Sequence, residues 1–182
     1  VTSGEADIAI ATEAIEQFNE LITLPCYQWN RCVIVPPKHP LLKMKKLTLE
    51  AITRYPIITY DDAFTGRSKI NQAFANHGLE PNVVLTAIDS DVIKTYVELG
   101  LGIGILANMA FEAKRDKSLK SIDASHLFEP STTRIGISRN NYIRGYIFDF
   151  IEMFSPHLNR SSIQAKLEGS KNDRTELQID SQ

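Results

Sequence analysis

The chain has 182 residues, of which 43% are hydrophobic and 23% are charged, as in an ordinary globular protein. Its net charge of −2 gives no sign of the basic surface with which proteins bind nucleic acid. No apolar run approaches the roughly 20 residues that a membrane-spanning helix needs. This composition suits one domain of usual size or two small lobes.

The start of the chain and its two cysteines bear on its origin. The chain begins with Val1, and Gly4 has the position of a residue that closes a helix lying upstream, so we expect a fragment cut inside a domain. Cys26 and Cys32 are six positions apart around a predicted strand edge. A disulfide is compatible with that spacing, but we expect reduced thiols in a cytoplasmic protein.

Strands and helices alternate along the chain. Segments of alternating or continuous hydrophobicity predict strands, whereas capping residues and terminal glycines delimit the helices. The predicted strands are ADIAIA (6–11), ELITLPCY (20–27), RCVIVPP (31–37), PIITY (56–60), NVVLTAI (82–88), GIGILA (102–107) and TTRIGIS (132–138). The predicted helices are LEAITRY (49–55, cap Thr48), KINQAFANH (69–77, cap Ser68, end Gly78), DVIKTYVEL (91–99, cap Asp89 or Ser90, end Gly100) and YIRGYIFDFIEMF (142–154).

This alternation predicts an α/β fold with mostly parallel sheets, in which the run 31–37 is a buried parallel strand. Such sheets place ligands at the carboxyl ends of their strands, where helices begin. From Ser161 on, the chain is mostly polar and is expected to form a solvated helix or a loose tail. The core face of the last strong helix is expected to comprise Ile143, Ile147, Phe150, Ile151 and Phe154.

Motifs for catalysis, nucleotides and metals are missing. The glycines of GLGIGIL (100–106) follow a helix and lack the dinucleotide-binding spacing, so they indicate a helix end and the entry into a strand. The four histidines are isolated in the sequence and show no metal-ligand spacing. No serine is flanked as a nucleophile elbow requires. We therefore predict no catalytic residue, no metal and no cofactor.

The turn Thr65-Gly66-Arg67-Ser68 is the strongest candidate site. A helix N-terminus presents unpaired N–H groups and a partial positive charge, which favour an anion. Gly66 allows close approach of the backbone, Thr65 adds a hydroxyl, and Ser68 can cap the helix. Arg67 has no assigned role. From these residues alone, an anion receptor and a simple helix cap are equally supported.

Two residues elsewhere could add to such a site. Thr12 ends a strand, so its hydroxyl either points toward a ligand crevice or caps the helix that follows. Trp29 is the only tryptophan, and its polar neighbours Gln28 and Asn30 place it at a boundary and not in a deep core.

Several segments together resemble a known family. They are SGEADIAIATEAI, LPCYQWNR, FTGRS, DSDVIKTYVELGLGIGILA, HLFEPSTTRIGISR and DFIEMFSPHL, in order from about Ser3 to Arg160. The chain resembles the effector-binding domain of LysR-type transcriptional regulators. The segments LPCYQWNR, FTGRS and DSDVIKTYV are most similar to the members that control sulfur assimilation and cysteine biosynthesis.

The resemblance implies a two-lobe, periplasmic-binding-protein-like α/β fold with the ligand between the lobes. Residues 28–130 would be the complete second lobe. Residues 1–27 and 131–160 would be a first lobe truncated at its N-terminus, and 161–182 a polar tail. A Thr-Thr-x-Thr-Gln segment that supplies anion ligands in such proteins, and their winged helix-turn-helix, are expected to lie outside this chain.

The resemblance also implies ligand-contacting residues. Thr12, Trp29 and Thr65 match ligand positions of the family, and the helix argument adds Gly66 as a backbone donor. The residues 61–63 depart from the glycine-rich version of the motif, and the two aspartates among them are expected to face solvent.

The implied function is a sensor and not an enzyme. Its effector would be N-acetylserine, O-acetylserine, sulfate or thiosulfate, bound without a cofactor. The full-length protein would be a cytoplasmic homo-oligomer, a tetramer, that meets promoter DNA through its N-terminal domain and does not contact membranes. The alternative is an extracytoplasmic solute-binding protein for a small anion, and a third possibility is an enzyme of related architecture.

Overall fold

The structure, a computed structural model, describes residues 1–62, 65–139 and 142–167. It divides into two compact units. Unit 1 comprises Val1–Gln28 and the chain from Thr132 onward, and unit 2 comprises Trp29–Ser131.

Strands and helices alternate as predicted, with short 3₁₀ turns between some of them. The strands are β1 (Ile8–Ala11), β2 (Leu21–Trp29), β3 (Arg31–Val35), β4 (Ile57–Tyr60), β5 (Val83–Ala87), β6 (Ile103–Ala107), β7 (Lys120–Asp123) and β8 (Ser131–Ser138). The helices are α1 (Leu49–Ile52), α2 (Thr65–Asn76), α3 (Ser90–Glu98) and α4 (Gly145–Phe154), and residues 160–167 are also helical. Within the part of the chain that the structure describes, no helix has the length and hydropathy of a membrane span.

Unit 1 is a three-stranded sheet in the order β1-β8-β2 with α4 packed against it. Strands β1 and β8 are antiparallel, so the prediction of mostly parallel sheets is wrong for this unit. The core is formed by the buried residues Ile22, Leu24, Cys26, Ile135, Ile137, Ile147, Phe148, Ile151, Leu158 and Ile163.

Two predictions for the end of the chain need correction. Phe148 lies in the core of unit 1, whereas Phe150 is 38% exposed, because the inward face of α4 is rotated relative to the predicted stripe. The polar segment from Ser161 includes Ile163, which is fully buried, so this part of the chain packs on the core. The predicted tail beyond residue 167 lies outside the described residues.

Unit 2 is a five-stranded sheet in the order β5-β4-β6-β3-β7 with helices on both faces. Side chains of β3 alternate between two clusters, as the period of a strand requires. Val33 and Val35 pack with Phe74 of α2 on one face. Cys32 and Ile34 of the same strand pack on the other face, against a cluster that includes buried residues of α3. This two-sided burial explains the continuous apolar run of β3.

The direction of β3 differs from the prediction. Strands β5, β4 and β6 are parallel to one another, but β3 is antiparallel to both β6 and β7. Burial on both faces gives the same apolar run in either direction, so the predicted parallel pairing is wrong. The short strand β7 was not predicted, because its sequence KSID has one half-buried apolar residue, Ile122, and it lies at the edge of the sheet, paired with β3.

Helix boundaries set by local chemistry are mostly confirmed. Thr48 accepts a capping bond from the N–H of Ala51, and Asp89 accepts one from Val92. Helices α2 and α3 are followed by Gly78 and Gly100, whose φ values of +65° and +78° favour glycine. The exception is α2, which begins at Thr65, so the prediction that Ser68 caps this helix is wrong.

Candidate functional site

The candidate site lies at one edge of the sheet of unit 2. The parallel strands β4, β5 and β6 all end at this edge. Because β3 is antiparallel to β6, it begins there, with Arg31 paired to Ala107. The start of β3, the end of β4 and the first turn of α2 therefore meet at the edge where open α/β sheets place their ligands.

Trp29 and Gly66, both predicted as ligand contacts, lie close together. A Cβ atom built on Gly66 would be 3.6 Å from Cη2 of Trp29 and 3.4 Å from Nη2 of Arg31. Gly66 belongs to the first turn of α2, whose N–H groups have no partners within the helix. The absence of a Cβ leaves this turn open next to the indole ring.

Arg31 connects these residues and was missed in the sequence. Its guanidinium donates from Nη2 to the Gly66 carbonyl at 2.8 Å and to Oγ of Ser131 at 2.9 Å, and from Nη1 to the Glu129 carbonyl at 2.8 Å. The Cζ atom lies 5.1 Å from the centroid of the Trp29 ring. Arg31 is 1% exposed. The sequence feature that could have revealed Arg31 is its position directly before a run of apolar residues. An arginine buried there needs several hydrogen-bond acceptors nearby.

Arg67 holds the start of α2 onto β4. Its Nη1 donates to the Tyr60 carbonyl at 2.8 Å and its Nε to Oδ1 of Asn71 at 2.8 Å. Nε also pairs with Asp62 at 3.5 Å. Arg67 is buried, and its three contacts are structural, which answers the question of its role.

The two aspartates before α2 differ in exposure. The side chain of Asp62 is 72% exposed and accepts from Asn71 at 3.2 Å, in agreement with the expectation that it faces solvent. Asp61 is half-buried and accepts a bond from Oγ1 of Thr86 at 3.2 Å, so the same expectation does not hold for it.

The electrostatics of this edge favour an anion. The positive end of the α2 dipole and the guanidinium of Arg31 meet at Gly66, and Arg67 partly neutralises Asp62. Burial raises the pKa of the nearby Tyr60 phenol, although the Ala107 N–H that bonds to its oxygen at 3.4 Å opposes the change. Tyr60 therefore stays neutral and adds no negative charge.

The other two predicted ligand contacts, Thr65 and Thr12, belong to different units. Thr65 is the first residue of α2 and directly precedes Gly66. Thr12 belongs to unit 1, where it follows β1 at the N-cap position of the 3₁₀ turn Glu13–Gln17. Its side chain makes no capping bond to that turn, so the reading of Thr12 as a simple cap finds no support.

The histidines and cysteines make structural contacts. His39 Nδ1 accepts from the Leu41 N–H, and ring nitrogens of the other three histidines lie within 3.2 Å of backbone carbonyls. Cys26 and Cys32 are buried and free, and burial raises the pKa of both thiols. Among residues 1–62, 65–139 and 142–167, no group of three or more ligand-type side chains could hold a metal ion.

A cavity of about 260 Å³ lies elsewhere in unit 2. It is lined by Lys46, Leu47, Thr48, Leu49, Glu50, His77, His126 and Leu127. None of the predicted ligand contacts is among these residues, so the cavity is separate from the candidate site.

The fold and the polar edge of unit 2 define a small-ligand-binding α/β domain. Residues 1–159 match the LysR substrate binding domain. The chain therefore belongs to this family, whose effector-binding domains have the periplasmic-binding-protein-like fold. The α/β fold class and the resemblance drawn from the motifs are confirmed.

The relatives are transcriptional regulators. The HTH-type transcriptional regulators SsuR and CysB of Burkholderia cenocepacia are 54% and 53% identical to this chain, over 92% and 93% of its residues. The chain spans about half, 54%, of the length of each. The crystal structure of the cofactor-binding domain of the Cbl transcriptional regulator has a TM-score of 0.85 and 41% identity, over 91% of this chain and 72% of that chain. These names agree with the prediction that the chain is not an enzyme.

Proposed function

We propose that this chain is the inducer-sensing domain of a regulator of sulfur assimilation and cysteine biosynthesis. Its effector is a small anion or acetylated serine, with sulfate, thiosulfate, N-acetylserine and O-acetylserine as the candidates. The similarity to CysB and Cbl supports this choice of pathway.

One observation carries the proposal. Trp29 and Gly66, which are 37 positions apart in the sequence by their numbers, meet at the start of α2 beside the buried guanidinium of Arg31. The N–H groups of a helix's first turn and a nearby positive charge suit an oxyanion or a carboxylate, and the indole offers an apolar wall. The groups at this edge therefore suit the binding of a ligand without its chemical conversion.

We propose Thr12, Trp29, Thr65 and Gly66 as the ligand contacts. Thr65 and Gly66 would donate hydrogen bonds from the first turn of α2, and Trp29 would pack against the ligand. We assign unit 2 to the second lobe of the effector-binding domain and unit 1 to the first lobe. Ligand binding would act by favouring one of two lobe arrangements, to the extent that the ligand binds the two with different affinity.

Calorimetric titration of the intact effector-binding domain with the four candidate ligands tests the proposal. Thr65→Ala is expected to weaken binding of the preferred ligand by about 1.5–3 kcal/mol, or tenfold or more, because a hydrogen bond to a charged group is lost. Ser68→Ala is the matched control, since it removes a hydroxyl from the same helix one turn later and is expected to bind normally. Thr12→Ala tests the contact from unit 1. Failure of the unmodified, intact effector-binding domain to bind any of the four ligands would refute the proposal.

The similarity to the relatives supports a broader proposal for the whole protein. We propose that it binds promoter DNA through a separate helix-turn-helix domain, acts in the cytoplasm and forms a homo-oligomer, a tetramer. The alternative of an extracytoplasmic solute-binding protein is not retained, because the close relatives are named HTH-type transcriptional regulators.

A further inference from the structure

Arg31 is a buried cation at the candidate ligand edge. It begins β3 and is followed by four buried apolar residues, and it is itself 1% exposed. A guanidinium can be buried only when its N–H groups are hydrogen-bonded, so the burial of Arg31 depends on its acceptors.

These acceptors come from two separate segments of unit 2. One is the Gly66 carbonyl in the first turn of α2, at 2.8 Å from Nη2. The others are the Glu129 carbonyl, at 2.8 Å from Nη1, and the Ser131 hydroxyl, at 2.9 Å from Nη2. Because the N–H groups of a guanidinium point in fixed directions within one plane, Arg31 links α2 to residues 129–131 in a defined geometry.

The same guanidinium lies over the face of Trp29, with Cζ 5.1 Å from the ring centroid. A cation over an indole face holds the ring in one orientation. The edge of that ring, at Cη2, would be 3.6 Å from a Cβ on Gly66. One side chain thus controls the geometry of both Trp29 and Gly66.

We propose that Arg31 is the positioning residue of the ligand site. It orients the Trp29 indole and the first turn of α2 for the ligand through its planar set of hydrogen bonds and not through its charge alone. This inference rests on the proposed function, because it concerns the site at which the anion or acetylserine binds.

Arg31→Lys separates geometry from charge. Lysine keeps the positive charge but cannot bond to three acceptors in one plane while stacking on an indole. We expect Arg31→Lys to weaken binding of the preferred ligand, among sulfate, thiosulfate and the two acetylserines, by about tenfold or more. We also expect a shifted emission maximum in the ligand-free protein, since Trp29 is the only tryptophan and reports directly on the stacked guanidinium.

Lys94→Gln is the matched control for general destabilisation. Lys94 is another buried cation of unit 2, but its ion-pair partners are Asp91 and Asp116. This variant should melt at a lower temperature with unchanged ligand affinity and unchanged Trp29 emission, when all proteins are compared well below their melting temperatures.

Ser131→Ala is a second variant that tests the positioning role if Arg31→Lys does not fold. It removes the hydroxyl acceptor of Arg31 and leaves the Gly66 and Glu129 carbonyls in place, so a smaller loss of affinity with a small emission shift is expected. Wild-type affinity in Arg31→Lys or in Ser131→Ala, or unchanged emission, would overturn the positioning role alone. Absence of binding by the unmodified protein would refute the proposed function and this inference together.

Discussion

Arg67 allows a quantitative test of how α2 is attached to the sheet. Replacing Arg67 with Ala removes the hydrogen bond to the Tyr60 carbonyl and the contacts with Asn71 and Asp62. A hydrogen bond between a charged group and a partly buried carbonyl contributes about 1.5–3 kcal/mol. The contacts with Asn71 and Asp62 involve exposed side chains and add about 0.5 kcal/mol.

The expected loss is therefore about 2–3.5 kcal/mol in the free energy of unfolding of unit 2. For a chain of this size, each kcal/mol lowers the melting temperature by about 2–4 °C, so a decrease of about 4–14 °C follows. Urea unfolding monitored by Trp29 emission is the suitable assay, because Trp29 and Arg67 belong to the same unit.

Arg54→Ala provides the control for this measurement. Arg54 is exposed and lies after α1, so the same substitution there should change stability by less than about 0.5 kcal/mol. A loss below about 1 kcal/mol in Arg67→Ala would refute the reasoning, since the Tyr60 carbonyl would then lose no important partner.

The remaining predictions concern Gly66 in the candidate site, His39, and Gly104 in the core. Gly66→Ala should leave the melting temperature unchanged or raised, because the nearest atom to the new Cβ is 3.4 Å away, while calorimetric affinity falls about tenfold; unchanged affinity would remove Gly66 from the site. Burial lowers the pKa of His39, so its contribution to stability is complete above the unfolded pKa of about 6.5 and is lost as the pH falls through the folded pKa. His39→Asn keeps an acceptor for the Leu41 N–H. In urea unfolding, this variant should lose less stability than the native protein between about pH 7 and 5. The same loss in both proteins would contradict the role given to His39. Gly104→Ala would bring a Cβ to 2.5 Å from Cγ1 of Ile34, and a cost of about 1–3 kcal/mol is expected; a neutral change in thermal unfolding would show that the core adapts.

Features controlled by neighbouring residues were predictable from the sequence. The cap at Asp89 and the end of α3 at Gly100 depend on side chains and backbone angles within a few positions. The alternation of strands and helices likewise follows from local hydrophobic periods. These local signals were sufficient for the α/β fold class.

Features that depend on distant partners were not predictable in the same way. The direction of β3 is set by its pairing with β6 and β7, while its own apolar run suits either direction. A parallel β3 would have begun at the opposite edge of the sheet and taken Arg31 away from α2. The acceptors of Arg31 are 35, 98 and 100 residues away in the sequence, so no local pattern revealed them. The family resemblance suggested Trp29 as a ligand contact and the helix argument suggested Gly66, but neither predicted that these two residues lie side by side.

The buried cysteines have a practical consequence for measuring motion. Thiol-reactive dyes attack the thiolate, and burial with raised pKa values keeps Cys26 and Cys32 in the unreactive thiol form. New cysteines at Met153 in unit 1 and Ile88 in unit 2, whose side chains are 82% and 72% exposed, would therefore take up a donor and an acceptor dye almost free of background. The native chain therefore needs no removal of its own cysteines before single-molecule energy-transfer measurements. Such measurements can follow the distance between the two dyes as each candidate effector is added.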